Sequence, residues 1–149
     1  MIYIASDHGG YKLKKRLIRY IKNELKLEIE DMGPDQYDRD DDYPDFAQPL
    51  VEKVANDKNN CGILICGSGQ GMCMLANKNK GIRAALGYSI KSAELSKQHN
   101  NANILCLAGY VLTEDHATAI TRKWLATPFS NEERHLRRLR KMTKLEKNN

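Results

Sequence analysis

The sequence predicts an α/β protein, a single doubly wound, Rossmann-like domain with a five-stranded parallel sheet, helices on both faces and a C-terminal helix. Two observations predict this class. Short apolar runs rich in β-branched residues recur along the chain, and segments with the helical spacing of apolar residues lie between them. Strands that alternate with helices favour parallel pairing through right-handed crossovers. At 149 residues the chain is expected to form one domain over residues 1–149.

Five apolar runs are the predicted strands: Ile2–Ser6, Leu27–Asp31, Ile63–Cys66, Ile82–Leu86 and Asn103–Leu107. The predicted helices between and after them are Lys12–Leu25, Phe46–Ala55, Met72–Lys78, Ser92–Gln98 and Thr113–Ala126. The first helix is the clearest, because four apolar residues recur there at intervals of four, Leu13, Leu17, Ile21 and Leu25. Ser130 and Glu133 have the spacing of a capping box, which predicts the start of a last helix.

The composition argues against several classes of protein. No apolar run approaches the roughly 20 residues of a membrane span, and the N-terminus lacks the pattern of a signal peptide. We therefore expect a cytoplasmic protein without a membrane partner. The cysteines at 61, 66, 73 and 106 have no paired C-x-x-C spacing, which argues against a zinc site or a disulfide framework. The basic segment 134–147 lacks interleaved aromatic residues, so nucleic-acid binding is the weakest functional hypothesis.

The most informative segment is the apolar run that ends at Cys66 and continues directly into Gly67-Ser68-Gly69-Gln70-Gly71. Ligands of open α/β sheets bind at the carboxyl ends of the strands. A thiol at such a position can act as a base or a nucleophile, and a glycine-rich loop offers N–H groups to an anion. The alternative is a structural cysteine buried in the core. The three alternating glycines that follow favour the functional interpretation.

Three familiar glycine-rich loops do not match this segment. A P-loop requires a lysine after its last glycine, and none is present. The dinucleotide fingerprint is G-x-G-x-x-G, whereas this loop is G-x-G-x-G. A cysteine phosphatase would close its loop with an arginine near position 72, where this chain has Met72.

Other polar residues are candidates for the same site. Asp7 and His8 follow the first predicted strand and should lie at the same sheet edge as Cys66; a helix cap is the alternative for Asp7, but polar side chains at two strand ends favour one shared site. His99 and Asn100 follow a predicted helix, and Tyr43 ends the acidic loop 38–42. That loop lacks the glycine and closing glutamate of an EF-hand and is interpreted as solvated. Arg134 and Arg138 share a helix face, which could equally be an ordinary charged surface.

These motifs together resemble the type B ribose-5-phosphate isomerases of the ribose/galactose isomerase family. The similarity runs from residue 2 to about 145. It rests on segments 6–10, 42–44, 62–71, 76–78, 81–84, 98–100 and 133–135, together with Asn103.

The resemblance implies an isomerase that interconverts ribose 5-phosphate and ribulose 5-phosphate without a metal or another cofactor. Cys66 would be the base of a cis-enediol mechanism, Ser68 would assist near the sugar oxygens, and His99 would open the furanose ring. The loop amides would hold the enediolate oxygen. Residues implied in substrate binding are Asp7, His8, Tyr43, Gly67, Gly69, Gln70, Gly71, Asn100, Tyr110, Arg134 and Arg138.

The family resemblance also implies a homodimer, alone or paired into a tetramer, in which His99 and Asn100 reach the partner's pocket. Tyr110 stands where many relatives have a phosphate-binding arginine, and Ser68 replaces a frequent threonine while keeping its hydroxyl. Because of Tyr110, a six-carbon sugar phosphate remains an alternative substrate. A non-catalytic module that binds a sugar phosphate or nucleotide is the alternative from another functional class.

Overall fold

Five parallel strands form the sheet of the computed structural model, which describes residues 1–147. The strands are β1 (Ile2–Ser6), β2 (Ile29–Asp31), β3 (Cys61–Cys66), β4 (Ala84–Leu86) and β5 (Ile104–Ala108). Their order across the sheet is β2-β1-β3-β5-β4, and every neighbouring pair is parallel. This topology confirms the predicted doubly wound α/β fold.

Helices cover both faces of the sheet. They are α1 (Tyr11–Asn23), α2 (Tyr43–Asn56), α3 (Gln70–Ala76), α4 (Ile90–Asn100), α5 (Glu114–Ala126) and α6 (Glu133–Lys147). Successive residues of β3 enter opposite halves of the core: Ile63 and Ile65 pack with α1 and α5, while Leu64 and Cys66 pack with α2 and α3. A strand buried on both faces needs an unbroken apolar sequence, which is why β3 is recognisable from its residues alone.

The boundaries of most elements differ from the predicted ones by one to three residues, and three of these differences have a local cause. The second strand begins at Ile29 rather than Leu27, because Lys26 has a left-handed φ of 56° and Leu27 remains 43% exposed. The fourth begins at Ala84, since the Asn103 side chain accepts the Arg83 amide hydrogen at 2.8 Å. The second helix begins at Tyr43, ahead of the predicted Phe46, because a proline fits the first turn of a helix.

The predicted capping box of the last helix is wrong. The Ser130 hydroxyl accepts a hydrogen bond from the Glu132 amide at 3.3 Å and pairs with His135 Nδ1 at 2.7 Å. The helix itself begins at Glu133. Ser130 therefore fixes the chain before the helix and holds a buried histidine, instead of capping the third helical residue. Across residues 1–147, no helix combines the length and the apolar character that crossing a membrane requires.

Candidate active site

The carboxyl ends of β1, β3 and β5 bring several of the sequence-selected residues to one edge of the sheet. Ser6 is opposite Ile65, and Cys66 is opposite Ala108. The Asp7 amide donates to the Ile65 carbonyl at 3.2 Å, so the segment after β1 lies beside the end of β3. Asp7, His8 and Cys66 therefore share this edge, as the parallel topology requires.

Cys66 is 5% exposed, and its Sγ accepts a hydrogen bond from the Gly69 amide at 3.2 Å. This contact needs the left-handed backbone of Gly69, whose φ is 74°. A Cβ at Gly69 would also lie 2.7 Å from Leu86 Cδ1, so glycine is required here for two reasons.

The loop after Cys66 uses a second amide internally, because the Gln70 N–H donates to Ser68 Oγ at 3.2 Å. Two tyrosine rings approach the loop. A Cβ on Gly67 would lie 2.6 Å from Tyr110 Cε2, and one on Gly71 would lie 2.9 Å from Tyr43 Cε1. Both rings remain accessible to solvent. Their contacts bring Tyr43 and Tyr110 to the same edge as Cys66.

Asp41 is a residue of this edge that sequence reasoning missed. Its Oδ1 lies 2.6 Å from His8 Nδ1 and accepts the His8 amide hydrogen at 3.0 Å. The hydrogen bond to Asp41 raises the pKa of His8, with a further contribution from the charge of Asp7. The acidic run 38–42 was the available signal, but its pattern favoured a solvated loop and could not single out one carboxylate.

Asp7 fulfils the structural role that its sequence position allowed. Its Oδ1 accepts the Gly10 amide hydrogen at 3.1 Å and so caps the single 3-10 turn formed by residues 8–10. Burial raises the pKa of Asp7, an effect only partly offset by that hydrogen bond. A side chain that caps this turn is also fixed at the same sheet edge as Cys66, so the structural role is compatible with a role in the site.

Asp7, His8 and Asp41 are the one group of potential metal ligands within residues 1–147 whose donor atoms lie within 4.8 Å of one another. One oxygen of each aspartate and Nδ1 of His8 are already engaged within the protein. Asp7 Oδ1 accepts from Gly10, and His8 Nδ1 faces Asp41 Oδ1. The group therefore fits an internally paired cluster better than a metal centre.

Four of the selected residues lie at the opposite edge of the sheet. Asn100 borders a cavity of about 500 Å³ with Ile82, Ala84 and Ala102, which precede or begin β4 and β5. Ile104, at the start of β5, is opposite Ala84, whereas Ala108, at its end, is opposite Cys66. The cavity and Cys66 are therefore separated by four residues along β5, a rise of about 13 Å. His99, Asn100, Arg134 and Arg138 are thus not brought to Cys66 within one chain.

The opposite edge nevertheless has a defined arrangement. The Ser130 amide donates to the Gln98 carbonyl, which ties the segment before α6 to the end of α4. The rings of His99 and His135 are 4.3 Å apart at an interplanar angle of 32°. His135 is 2% exposed, and burial lowers its pKa, so an uncharged ring supports His99. Arg134 pairs with Glu132 at 2.7 Å.

Comparison with known proteins gives this geometry a context. The family model described as Ribose/Galactose Isomerase matches residues 2–142. The chain belongs to the ribose/galactose isomerase family. Within that family it groups with the type B ribose-5-phosphate isomerases: the ribose-5-phosphate isomerase B of Mycobacterium tuberculosis is 39% identical over 138 residues, covering 93% of this chain and 85% of that protein.

Solved structures of the family agree with the fold in detail. Ribose-5-phosphate isomerase B from Mycoplasma genitalium, crystallised with bound ribulose-5-phosphate, is 44% identical with a TM-score of 0.95 and covers 99% of this chain and 97% of that one. The enzyme from Thermotoga maritima is 40% identical with a TM-score of 0.90, at 96% and 97% coverage. The predicted family and fold are therefore confirmed, and the chain is an isomerase of this family.

Proposed function

We propose that the chain interconverts ribose 5-phosphate and ribulose 5-phosphate through a cis-enediolate, with Cys66 as the base. The observation that carries this proposal is the Cys66 thiol, which accepts a hydrogen bond from the Gly69 amide at the carboxyl end of β3. The ribulose-5-phosphate bound by the Mycoplasma genitalium relative supports the same substrate pair for this chain.

The chemistry is a proton transfer without net oxidation. The thiolate takes the proton from C2 of the open-chain aldose, and the electron pair of that bond moves toward C1 and its carbonyl oxygen. The same thiol returns the proton to C1, while the hydroxyl proton on O2 is lost as the carbonyl forms there and O1 gains one. A thiolate can take this role, and general base catalysis by a positioned side chain raises the rate by about 10²–10⁴-fold.

The developing negative charge on the substrate oxygen needs fixed donors. Gly69 and Gln70 use their amides on Cys66 Sγ and Ser68 Oγ. We assign the remaining loop amides, those of Gly67, Ser68 and Gly71, to the enediolate oxygen. Preorganised N–H groups of this kind stabilise charge that appears only in the transition state. Ser68, Asp7 and Tyr43 then contact the sugar hydroxyls.

A complete site requires a second subunit. His99 and Asn100 lie at the opposite sheet edge from Cys66, and so do Arg134 and Arg138. In a homodimer with twofold symmetry, one subunit's opposite edge covers the other subunit's Cys66 loop, and the arrangement is reciprocal. His99 would then open the furanose ring, and the two arginines would bind the phosphate.

A panel of five- and six-carbon sugar phosphates tests the function directly. We expect turnover to be fastest with ribose 5-phosphate. We also expect it to be unchanged after exhaustive treatment with EDTA, because the one close cluster of potential metal ligands in residues 1–147 makes hydrogen bonds within the protein. Faster turnover of a six-carbon phosphosugar would favour the alternative substrate. Loss of activity on chelation, with recovery on adding one metal, would contradict the mechanism. Inactivity with every sugar phosphate would leave the non-catalytic binding module.

Substitution of Arg138 tests the phosphate site. Arg138→Ala should raise KM by about 10- to 150-fold with a smaller change in kcat, because a charged hydrogen bond contributes about 1.5–3 kcal/mol. Arg134→Ala should behave alike. Arg140→Ala is the matched control, since Arg140 is also exposed on α6 and its spacing of six residues from Arg134 and two from Arg138 puts it on another face of the helix. Unchanged KM in both of the first two variants would remove the arginines from the site.

The same assay tests how Tyr110 affects the affinity for the substrate. Tyr110→Arg should lower KM for ribose 5-phosphate if the pocket of this chain simply has one cation fewer than its relatives. A different result would indicate that Tyr110 matches a larger substrate. The unmodified protein would then have a lower KM for a six-carbon phosphosugar than for ribose 5-phosphate, and Tyr110→Arg would not lower KM for ribose 5-phosphate.

A further inference from the structure

Asp41 contacts His8 twice through one oxygen atom. Oδ1 accepts the His8 amide hydrogen at 3.0 Å and lies 2.6 Å from Nδ1 of the same residue. A carboxylate can only accept, so this geometry places a proton on Nδ1 and fixes both the backbone and the ring of His8. Nε2 is then the nitrogen that remains for a ligand, and 30% of the His8 side chain is exposed.

Asp41 is more buried than its place in an acidic loop suggests. Its side chain is 7% exposed, and its Oδ2 is buried without a hydrogen-bond partner among the described residues. A buried carboxylate is costly unless it is paired. The contact with His8 compensates that cost best when the imidazole carries a positive charge.

The charges around His8 all favour the imidazolium. Asp41 acts through its hydrogen bond and Asp7 through its charge, and together they outweigh the burial that lowers the pKa of His8. Arg39 and Asp40 of the same loop are exposed and lie 3.9 Å from each other. From the side of β5, the neighbour is Tyr110, whose ring approaches Gly9 and is uncharged at neutral pH.

His8 is also the residue of the site at this edge that can carry a positive charge. The other site residues there are Asp7, Tyr43, the 66–71 loop and Tyr110, and none is a lysine or arginine. Arg134 and Arg138 lie at the opposite edge of their own chain. Among the described residues assigned to the site at this edge, His8 is therefore the one cationic group that the same chain can present to a substrate phosphate beside Cys66.

We propose that Asp41 is a positioning residue, which holds His8 so that Nε2–H donates to a phosphate oxygen of the substrate. The proposal rests on the sugar-phosphate isomerase function given above and adds a residue to its phosphate site. Asp41 does not touch the substrate. It acts through His8, by fixing the tautomer, the ring orientation and the charge.

The first test follows the His8 ring by NMR in protein labelled at histidine, with His8→Asn identifying its signals among the four histidines. In the unmodified protein, Nδ1 should carry the proton, and inorganic phosphate should shift the Nε2 signal. Asp41→Asn should lower the titration midpoint of His8 and weaken the response to phosphate. Asp40→Asn is the matched control: it removes the same charge one residue away, from a side chain that is 90% exposed.

The second test is kinetic. Asp41→Asn should raise KM for ribose 5-phosphate about tenfold at the pH values where only the unmodified protein keeps His8 charged. The difference should shrink in acid, where both proteins carry the imidazolium, and kcat should change less than KM. Because Asp41 acts through His8, the substitution should add little in a His8→Asn background, as a double-mutant cycle measures.

Several results would overturn the proposal. They are an unchanged His8 midpoint in Asp41→Asn, a neutral tautomer with its proton on Nε2 in the unmodified protein, or additive effects in the cycle. If Asp41→Asn does not fold, the tautomer and the phosphate response of the unmodified protein still decide the matter. If the unmodified protein isomerises no sugar phosphate, the proposed function fails, but the NMR measurements still report on the contact between Asp41 and His8.

Discussion

Cys66→Ala should reduce isomerisation of ribose 5-phosphate by at least about 10²–10⁴-fold, since a positioned general base contributes an effect of that size. The loss should fall on kcat, because the thiol acts on the reacting carbon and adds little to ground-state binding. Substrate binding, measured by calorimetry, should persist within a few-fold. The fold should also persist, because alanine retains the β-carbon and most single substitutions cost about 1 kcal/mol. Circular dichroism and thermal unfolding check that point.

The other cysteines provide matched controls for this variant. Cys73 is the most informative control. It lies on α3, just after the loop that follows Cys66, and a hydrogen bond with Cys106 lowers its pKa. An acidic thiol near the site is a plausible rival base. However, Cys73 Sγ lies 3.6 Å from the Ala84 carbonyl, at the amino end of β4, and so faces away from the edge that holds Cys66.

We therefore expect Cys73→Ala to keep nearly full activity. Cys61→Ala should do so too, since Cys61 begins the same strand that Cys66 ends. Near-normal turnover in Cys66→Ala would eliminate Cys66 as the base. A large loss in Cys73→Ala together with normal turnover in Cys66→Ala would transfer the role to Cys73.

The order and type of the strands followed from sequence because the central strands are buried on both faces. In a chain that alternates strands with helices, an unbroken apolar run such as Ile63–Cys66 is typical of a fully buried parallel strand. The edge strands were less predictable. β2 and β4 are three residues each, and both begin two residues later than predicted. The left-handed backbone of Lys26 precedes β2, and the hydrogen bond from the Arg83 amide to the Asn103 side chain precedes β4. Such contacts depend on tertiary structure.

Residues of the site were predictable only where a strand end carries them. Asp7 and Cys66 each follow directly from a strand, so the topology alone brings them together. Asp41 is 33 residues from its partner His8, and no local pattern specifies which of the aspartates in the 38–42 segment makes that contact. Likewise, the residue pattern marks His99 as a candidate, and only the family resemblance implies that it acts from the partner chain.

Paired variants of the proposed homodimer should decide from which chain His99 acts. On their own, Cys66→Ala and His99→Asn should each be almost inactive with ribose 5-phosphate, since each lacks one acid–base group at every site. A hybrid dimer with one chain of each kind, purified through two different tags, contains one site with both groups intact. If His99 is supplied across the interface, this hybrid should have about half the activity of the unmodified dimer.

The matched control carries both substitutions on one chain and none on the other. There, the intact Cys66 faces the altered His99 of its partner, and the intact His99 faces the altered Cys66, so both sites are defective. We expect this hybrid to be inactive. The geometry behind the expectation is the separation of about 13 Å along β5 between the level of Cys66 and the end of α4 that carries His99. If both groups acted within one chain, the two hybrids would exchange their results, with the control active and the first hybrid inactive. About half activity in both hybrids would remove His99 from the site, because each hybrid keeps one chain with an intact Cys66.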